Sequence, residues 1–262
     1  SGSQLGSLST TALQGLTTAQ AVALTSATLQ SLSSTQINSL TSTALDAIET
    51  ADIASIGKTL LSGISSTQLN LLTTSQVQAI SSSSLQNLNT VQISGLSTNQ
   101  LVALSSTQVF ALNVGQVQAL ALDKLGTTQI AYLSLSQIKA LTSTQINNLA
   151  STNTSVLQNL TTLQVQAILG STVSALQSTV LTNLSSLQIK ALSGNQIQSL
   201  TTAQLQQITT TQVSYLSTAQ ALALNATQVG SLSSGALQAL GTANITAFNA
   251  GDRKSTRLNS SH

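Results

Sequence analysis

The sequence predicts an all-α solenoid, a superhelix of very short helices with one helix per eight-residue repeat. Three observations predict it. Leu or Ile stands at every eighth position from Leu8 to Leu120 and again from Leu160 to Leu240. A second apolar residue follows five places later, as at Ile37, Val77, Ile93, Val165, Ile189, Ile197 and Ile245, with Ala21 and Ala221 as smaller versions. Between the two lies Ser or Thr followed three residues on by Gln, as in Leu32-Ser-Ser-Thr-Gln-Ile-Asn-Ser-Leu40. Octad positions are numbered below from the leading Leu, so that Leu is first, Ser/Thr second, Gln fifth and Ile/Val sixth.

No unbroken element has this period. In a continuous helix, eight residues at about 100° each leave a drift of about 80° per repeat, and the leucines would spiral around the axis. In a continuous strand, steps of five and three point to opposite faces. Each octad must therefore contain a turn. Ser33 and Gln36 have the spacing of a capping box, in which hydroxyl and side-chain amide serve each other's backbone N–H, and Leu32 and Ile37 occupy the hydrophobic-staple positions around it. The reading is a helix of about one and a half turns per octad, ended by the next leading residue. Small residues before that position, such as Ala23, Ala47, Ala79, Gly95 and Ala103, let successive turns approach. Helices this short do not persist alone in water, so the octads must stack into a shared core. A β-solenoid is the alternative, because Ser, Thr, Val and Ile also favour strands.

The segments follow in order. Residues 1–7 are a leader, with Ser1-Gly2-Ser3 resembling the remnant of an expression tag. Residues 8–119 are octads in one frame. Residues 120–159 are out of phase: a five-residue unit precedes octads led by Leu125, Leu133 and Leu141, and an eleven-residue unit from Leu149 restores the frame. Residues 160–247 are again in frame, and 248–262 form a tail. Within it, Asp252–His262 holds the only Arg residues and the only His. Read back into codons, 252–262 resembles a short-read sequencing adapter, which implies a non-native end, a metagenomic origin and a reading frame cut short.

Composition excludes several function classes. Charged residues are 5 % of the 262, with no Pro, Cys, Met or Trp. Setting 252–262 aside leaves four lysines (58, 124, 139, 190) and four acids (46, 49, 52, 123), a net charge of zero. The formal +2 and the pI of 9.2 then carry no argument for nucleic-acid binding. No run of 18 apolar residues predicts a membrane span. Without Cys there is no disulfide or thiolate metal site.

No catalytic, cofactor-binding or metal-binding residue is assigned, and no cofactor. Outside 252–262 there is no His, Cys or Arg, and no Ser stands in a nucleophile motif. Asp46, Glu49 and Asp52 are the one acidic cluster, and they read as a solvated face rather than a cation site. Asp123 and Lys124 read as a surface pair, and Lys58, Lys139 and Lys190 as exposed. The Asn-x-Ser/Thr sequons at Asn153, Asn159, Asn183, Asn225 and Asn244 follow from composition. The Ser/Thr rows read as caps and surface.

The "LTTAQ", "LSSTQI" and "LTTSQV" octads, across about residues 8–247, resemble the short repeats of large, repetitive bacterial surface or secreted proteins of adhesin-like type. That resemblance implies a secreted or cell-surface location and a non-enzymatic spacer or stalk within a larger extracellular protein. The alternative is a solenoid surface that binds glycan, peptide or ice through its Ser/Thr rows. The ends of such a stack also suggest end-to-end self-association.

Overall fold

The computed structural model describes residues 2–259, with side chains for 2–248. The chain is all-α, with one short helix in nearly every octad and no strand among the described residues. The β-solenoid alternative is therefore not the fold: the cap at each second position outcompetes the strand preference of Ser, Thr, Val and Ile. The chain divides into two compact units, residues 1–133 and 134–262.

Each helix begins and ends for local reasons. In the octad Leu104–Ala111, Ser105 is extended (φ −71°, ψ 163°), and its hydroxyl accepts from the Gln108 N–H, while Gln108 Oε1 accepts the Ser105 N–H at 2.9 Å. The helix runs Ser106–Ala111 and stops because Leu112 is extended (φ −59°, ψ 134°). Neither Gly nor Pro is needed, since the next cap, Asn113, draws the backbone out of the helix. Gly241 (φ 77°) has the one positive φ among the described residues. It kinks the last helix, Ser234–Asn259.

In the first unit, the helix Thr74–Ala79 packs against Thr98–Ala103, and Thr90–Ser94 against Val114–Ala119, three octads on in each case. The second unit repeats this with Gly170–Ser174, Gly194–Ser199 and Thr218–Ala223, a solenoid-like arrangement. First and sixth positions fill the core: Leu96, Leu101, Leu104, Val109, Leu112 and Val117 are buried, as are Ile189, Leu192, Ile197, Leu200 and Leu205. Truncating one, as in Leu101→Ala, is expected to cost about 2–5 kcal/mol in chemical denaturation. Close approach of turns explains the small eighth residues. A Cβ on Gly63 would lie 1.9 Å from Ser34 Oγ, and one on Gly95 2.7 Å from Ser66 Cβ.

The out-of-phase stretch has its own forms. The five-residue unit is a 3-10 turn, Leu122–Lys124, and the eleven-residue unit lies where the helix Ser143–Thr152 reaches ten residues. The boundary between the compact units falls inside this stretch. One core assignment is corrected. Ile245 is 39 % exposed, and Asn244 is the buried residue at 7 %. The last helix packs against Thr210–Ser214 and Thr218–Ala223, and Asn244 Nδ2 donates to Leu216 O at 3.4 Å. The side chains of 249–262, which include the adapter-like segment 252–262, lie outside those described.

Candidate functional site

The feature that recurs in both units is a buried amide. Gln at the fifth position is buried in octad after octad, including Gln76, Gln92, Gln100, Gln108 and Gln116, and Gln188, Gln196, Gln204, Gln220 and Gln228. Its Oε1 closes the capping box of its own helix. Its Nε2 does something else: it donates to two carbonyls of the preceding turn. Gln108 Nε2 donates to Val77 O at 2.9 Å and Ile80 O at 2.8 Å, 31 and 28 residues back. Gln116 reaches Leu85 O and Leu88 O, and Gln196 reaches Val165 O and Ile168 O, at the same separations. A step of 28 residues is three and a half octads, so the amide lies over the joint between two octads of the earlier turn.

The targets are chosen by helix termination. Val77 O already accepts from Ile80 N, which ends its helix, and the Gln amide takes its second lone pair. Ile80, in extended backbone, has no helical donor for its carbonyl. One side chain thus starts its own helix and satisfies the end of another, with both its amide oxygen and its amide nitrogen engaged.

The slip shows which part of this arrangement is indispensable. Gln129 follows the five-residue unit, three residues short of an octad. Its Nε2 reaches Leu104 O, 25 residues back, and Val102 O at 2.6 Å. The carbonyl of a leading residue is still met. The other half is lost: the cap is Gly126, with no side-chain cap bond, and Gln129 Oε1 is buried with no hydrogen-bond partner. Gln129→Ala should therefore cost about 1–2 kcal/mol less than Gln108→Ala in urea denaturation, since it removes fewer bonds.

A second ladder runs outside the first. Amides at the seventh position donate forward to the eighth carbonyl of the next turn, 25 residues on: Gln78 to Ala103 O, Gln86 to Ala111 O, and Gln158 to Asn183 O. These amides had no assignment from the sequence, and Lys190 is exposed as expected from it. Lys190 occupies the same rung, with Nζ 5.6 Å from the centre of the Tyr215 ring, again 25 residues on.

The acidic residues behave individually. Asp52 stands at a fifth position, half-buried, and accepts the Ser26 hydroxyl at 2.7 Å. Asp46 and Glu49 are exposed, and the described residues contain no group of three or more His, Asp or Glu placed to hold a metal ion. Asp123 and Lys124 form the short turn of the slip, while Lys58 starts its helix and Lys139 ends one. The sequon asparagines have structural employment: Asn225 closes a capping box, Asn153 caps a helix start, and the Asn159 and Asn183 amides bond to Ser155 O and Ala150 O.

No helix among the described residues is long and apolar enough to cross a membrane. No curated protein matches the chain. Residues 85–121, which carry Gln92, Gln100, Gln108 and Gln116 of the ladder, match the family model described as the ALTTAQ repeat. Sequence period, helical stack and family match agree that the chain is a repeat protein.

Proposed function

We propose that this chain is a non-enzymatic scaffold, a spacer or stalk segment of a larger extracellular bacterial protein. The observation that carries the reading is the fate of the polar side chains. Where the fifth position is Gln, as at Gln76, Gln100, Gln108 and Gln196, it is consumed by internal bonding, and the Ser or Thr three residues before it by capping. What remains outside is a repeating, nearly uncharged surface. Such a design adds length without adding a site. The location outside the cell, on the surface or secreted, rests on the resemblance of the octads to adhesin-like repeats.

The reading is tested by inserting four whole octads after Ala103 and measuring small-angle scattering. The largest particle dimension should rise by the thickness of about one turn, with the cross-section unchanged. A particle that grows equally in all directions would end it. Antibody accessibility of the native protein on intact cells tests the location, and a purely intracellular signal would overturn that part. End-to-end association is part of the same proposal, and mass independent of concentration in sedimentation would contradict it.

A second reading is favoured by one observation: third-position hydroxyls are exposed in the three successive octads that carry Thr90, Thr98 and Ser106. Those rows could be read by glycan, peptide or ice. Glycan-array, peptide-array and ice-recrystallisation assays with no signal would dismiss it.

A further inference from the structure

We propose that the cleft between Phe110 and Tyr132 is a binding site for a hexopyranose ring of a neutral glycan. The chain has four aromatic residues in all, and these two line one open cleft of about 350 Å³ together with Ser106 and Thr107. Their meeting follows from the outer ladder. Phe110 is the seventh residue of its octad and Tyr132 the eighth of the unit led by Leu125. The two are 22 residues apart because the five-residue unit removes three from the usual 25. At Gln78 and Gln86 the same rung is closed by an amide donating to a carbonyl. At Phe110 the amide is replaced by a ring that is 67 % exposed, and the rung becomes a groove.

The chemistry of the groove selects the ligand. No charged side chain lines it, so nothing there favours an ionic group. Two aromatic rings offer apolar surface for the C–H face of a sugar, and the Ser106 and Thr107 hydroxyls can exchange hydrogen bonds with the equatorial hydroxyls at its rim. The size lies at the small end of ligand sites, fit for one or two rings, and a few polar groups on an otherwise apolar lining are the usual composition of such sites. This site is independent of the scaffold reading: a failed titration leaves the scattering result on inserted octads untouched.

The test uses the full chain and aromatic 1H–13C spectra, in which two Tyr and two Phe give few signals. Cellotetraose, maltotetraose and N-acetylchitotetraose are titrated separately to millimolar concentration. At least one should shift the Phe110 and Tyr132 resonances saturably and leave Tyr215 unmoved. Phe110→Gln restores the amide that Gln78 and Gln86 supply, and should fold normally while weakening binding at least about tenfold, a change of about 1.4 kcal/mol. Tyr132→Ala, which installs the residue found at Ala103 and Ala111, provides a second variant with the same expected loss. Absence of saturable shifts with all three sugars would overturn the proposal. So would shifts that persist in both variants, or ring shifts that depend on protein concentration alone, which would mark a contact between chains.

Discussion

Gln108→Glu should destabilise the protein more at neutral pH than at pH 4, and by more than Gln108→Ala at neutral pH. Alanine removes both Nε2 bonds, strands the Ile80 carbonyl and leaves the Ser105 N–H uncapped. With about 1–3 kcal/mol for each stranded group, a loss of about 3 kcal/mol is expected. Glutamate keeps the shape and can still accept from Ser105, as a capping box permits. It fails at the other end, where a carboxylate oxygen would face the carbonyls of Val77 and Ile80 with no hydrogen to donate. Burial raises the folded pKa of such an acid above its unfolded value of about 4.3. The sign follows from linkage. A raised acid binds its proton more tightly when folded, so the variant is most stable below about pH 4.3. It then loses about 1.4 kcal/mol per pH unit until the raised folded pKa is reached. The background is favourable, because the whole chain has five acidic residues and one His. Urea melts from pH 4 to 8 measure the effect, and a Gln108→Glu deficit that stayed flat with pH would refute the assigned role. Asp52 shows what an acid at this position requires: partial exposure and a hydroxyl donor in place of carbonyls.

Deleting the eight residues 96–103 should cost less than deleting Asn99 alone. After the octad is removed, Gln108 meets the carbonyls of Leu69 and Leu72 in place of Val77 and Ile80. Those are the positions that Gln100 uses now, so the deletion replaces like with like and removes only one repeat from the stack. Removing Asn99 leaves two residues between Ser97 and Leu101 where three belong. The capping box, the ladder bond and the burial of Leu101 can no longer be satisfied together. A loss of about 3–4 kcal/mol is expected for Asn99, the size reserved for broken buried networks, against a drop of a few degrees in Tm for the whole octad. The reverse order, read by calorimetry, would mean that register is set by something other than the octad.

Much of the helix grammar was legible. Ser33, Gln36, Leu32 and Ile37 announce cap, box and staple; Ser33 and Gln36 close the box, and Leu32 and Ile37 are both buried. What was missed lies at the far end of the same Gln. The capping box accounts for Oε1, and that explanation hid the donor Nε2, whose partners are 28 and 31 residues away. A signal was present. A capping box accepts Glu as readily as Gln, yet no Glu stands at any fifth position, and the chain's single Glu, Glu49, is elsewhere. A position that takes the amide repeatedly, and an acid only at half-buried Asp52 where the Ser26 hydroxyl donates to it, needs a hydrogen to give. The recurrent seventh-position amides at Gln78, Gln86 and Gln158 carried the same hint. The length of the turn was not legible, because identical octads pair equally well at several separations. Only the packing of real side chains, such as Gly63 against Ser34, selects one. Ile245 was misassigned because the octad frame was carried past Leu240, where the kink at Gly241 turns the helix and brings Asn244 inward.

The straddling amide has a mechanical consequence. Val77 is the sixth residue of one octad and Ile80 opens the next, so the amide of Gln108 straddles a joint, as a brick in running bond covers the gap between two bricks of the course below. A wall laid this way has no straight seam. To peel one octad from the interior, the turn above must release it first, and that turn is held by the one above in the same manner. Unfolding within a unit is therefore expected to advance from an end, or from a flawed course such as the one at Gln129, and not to open at an interior octad.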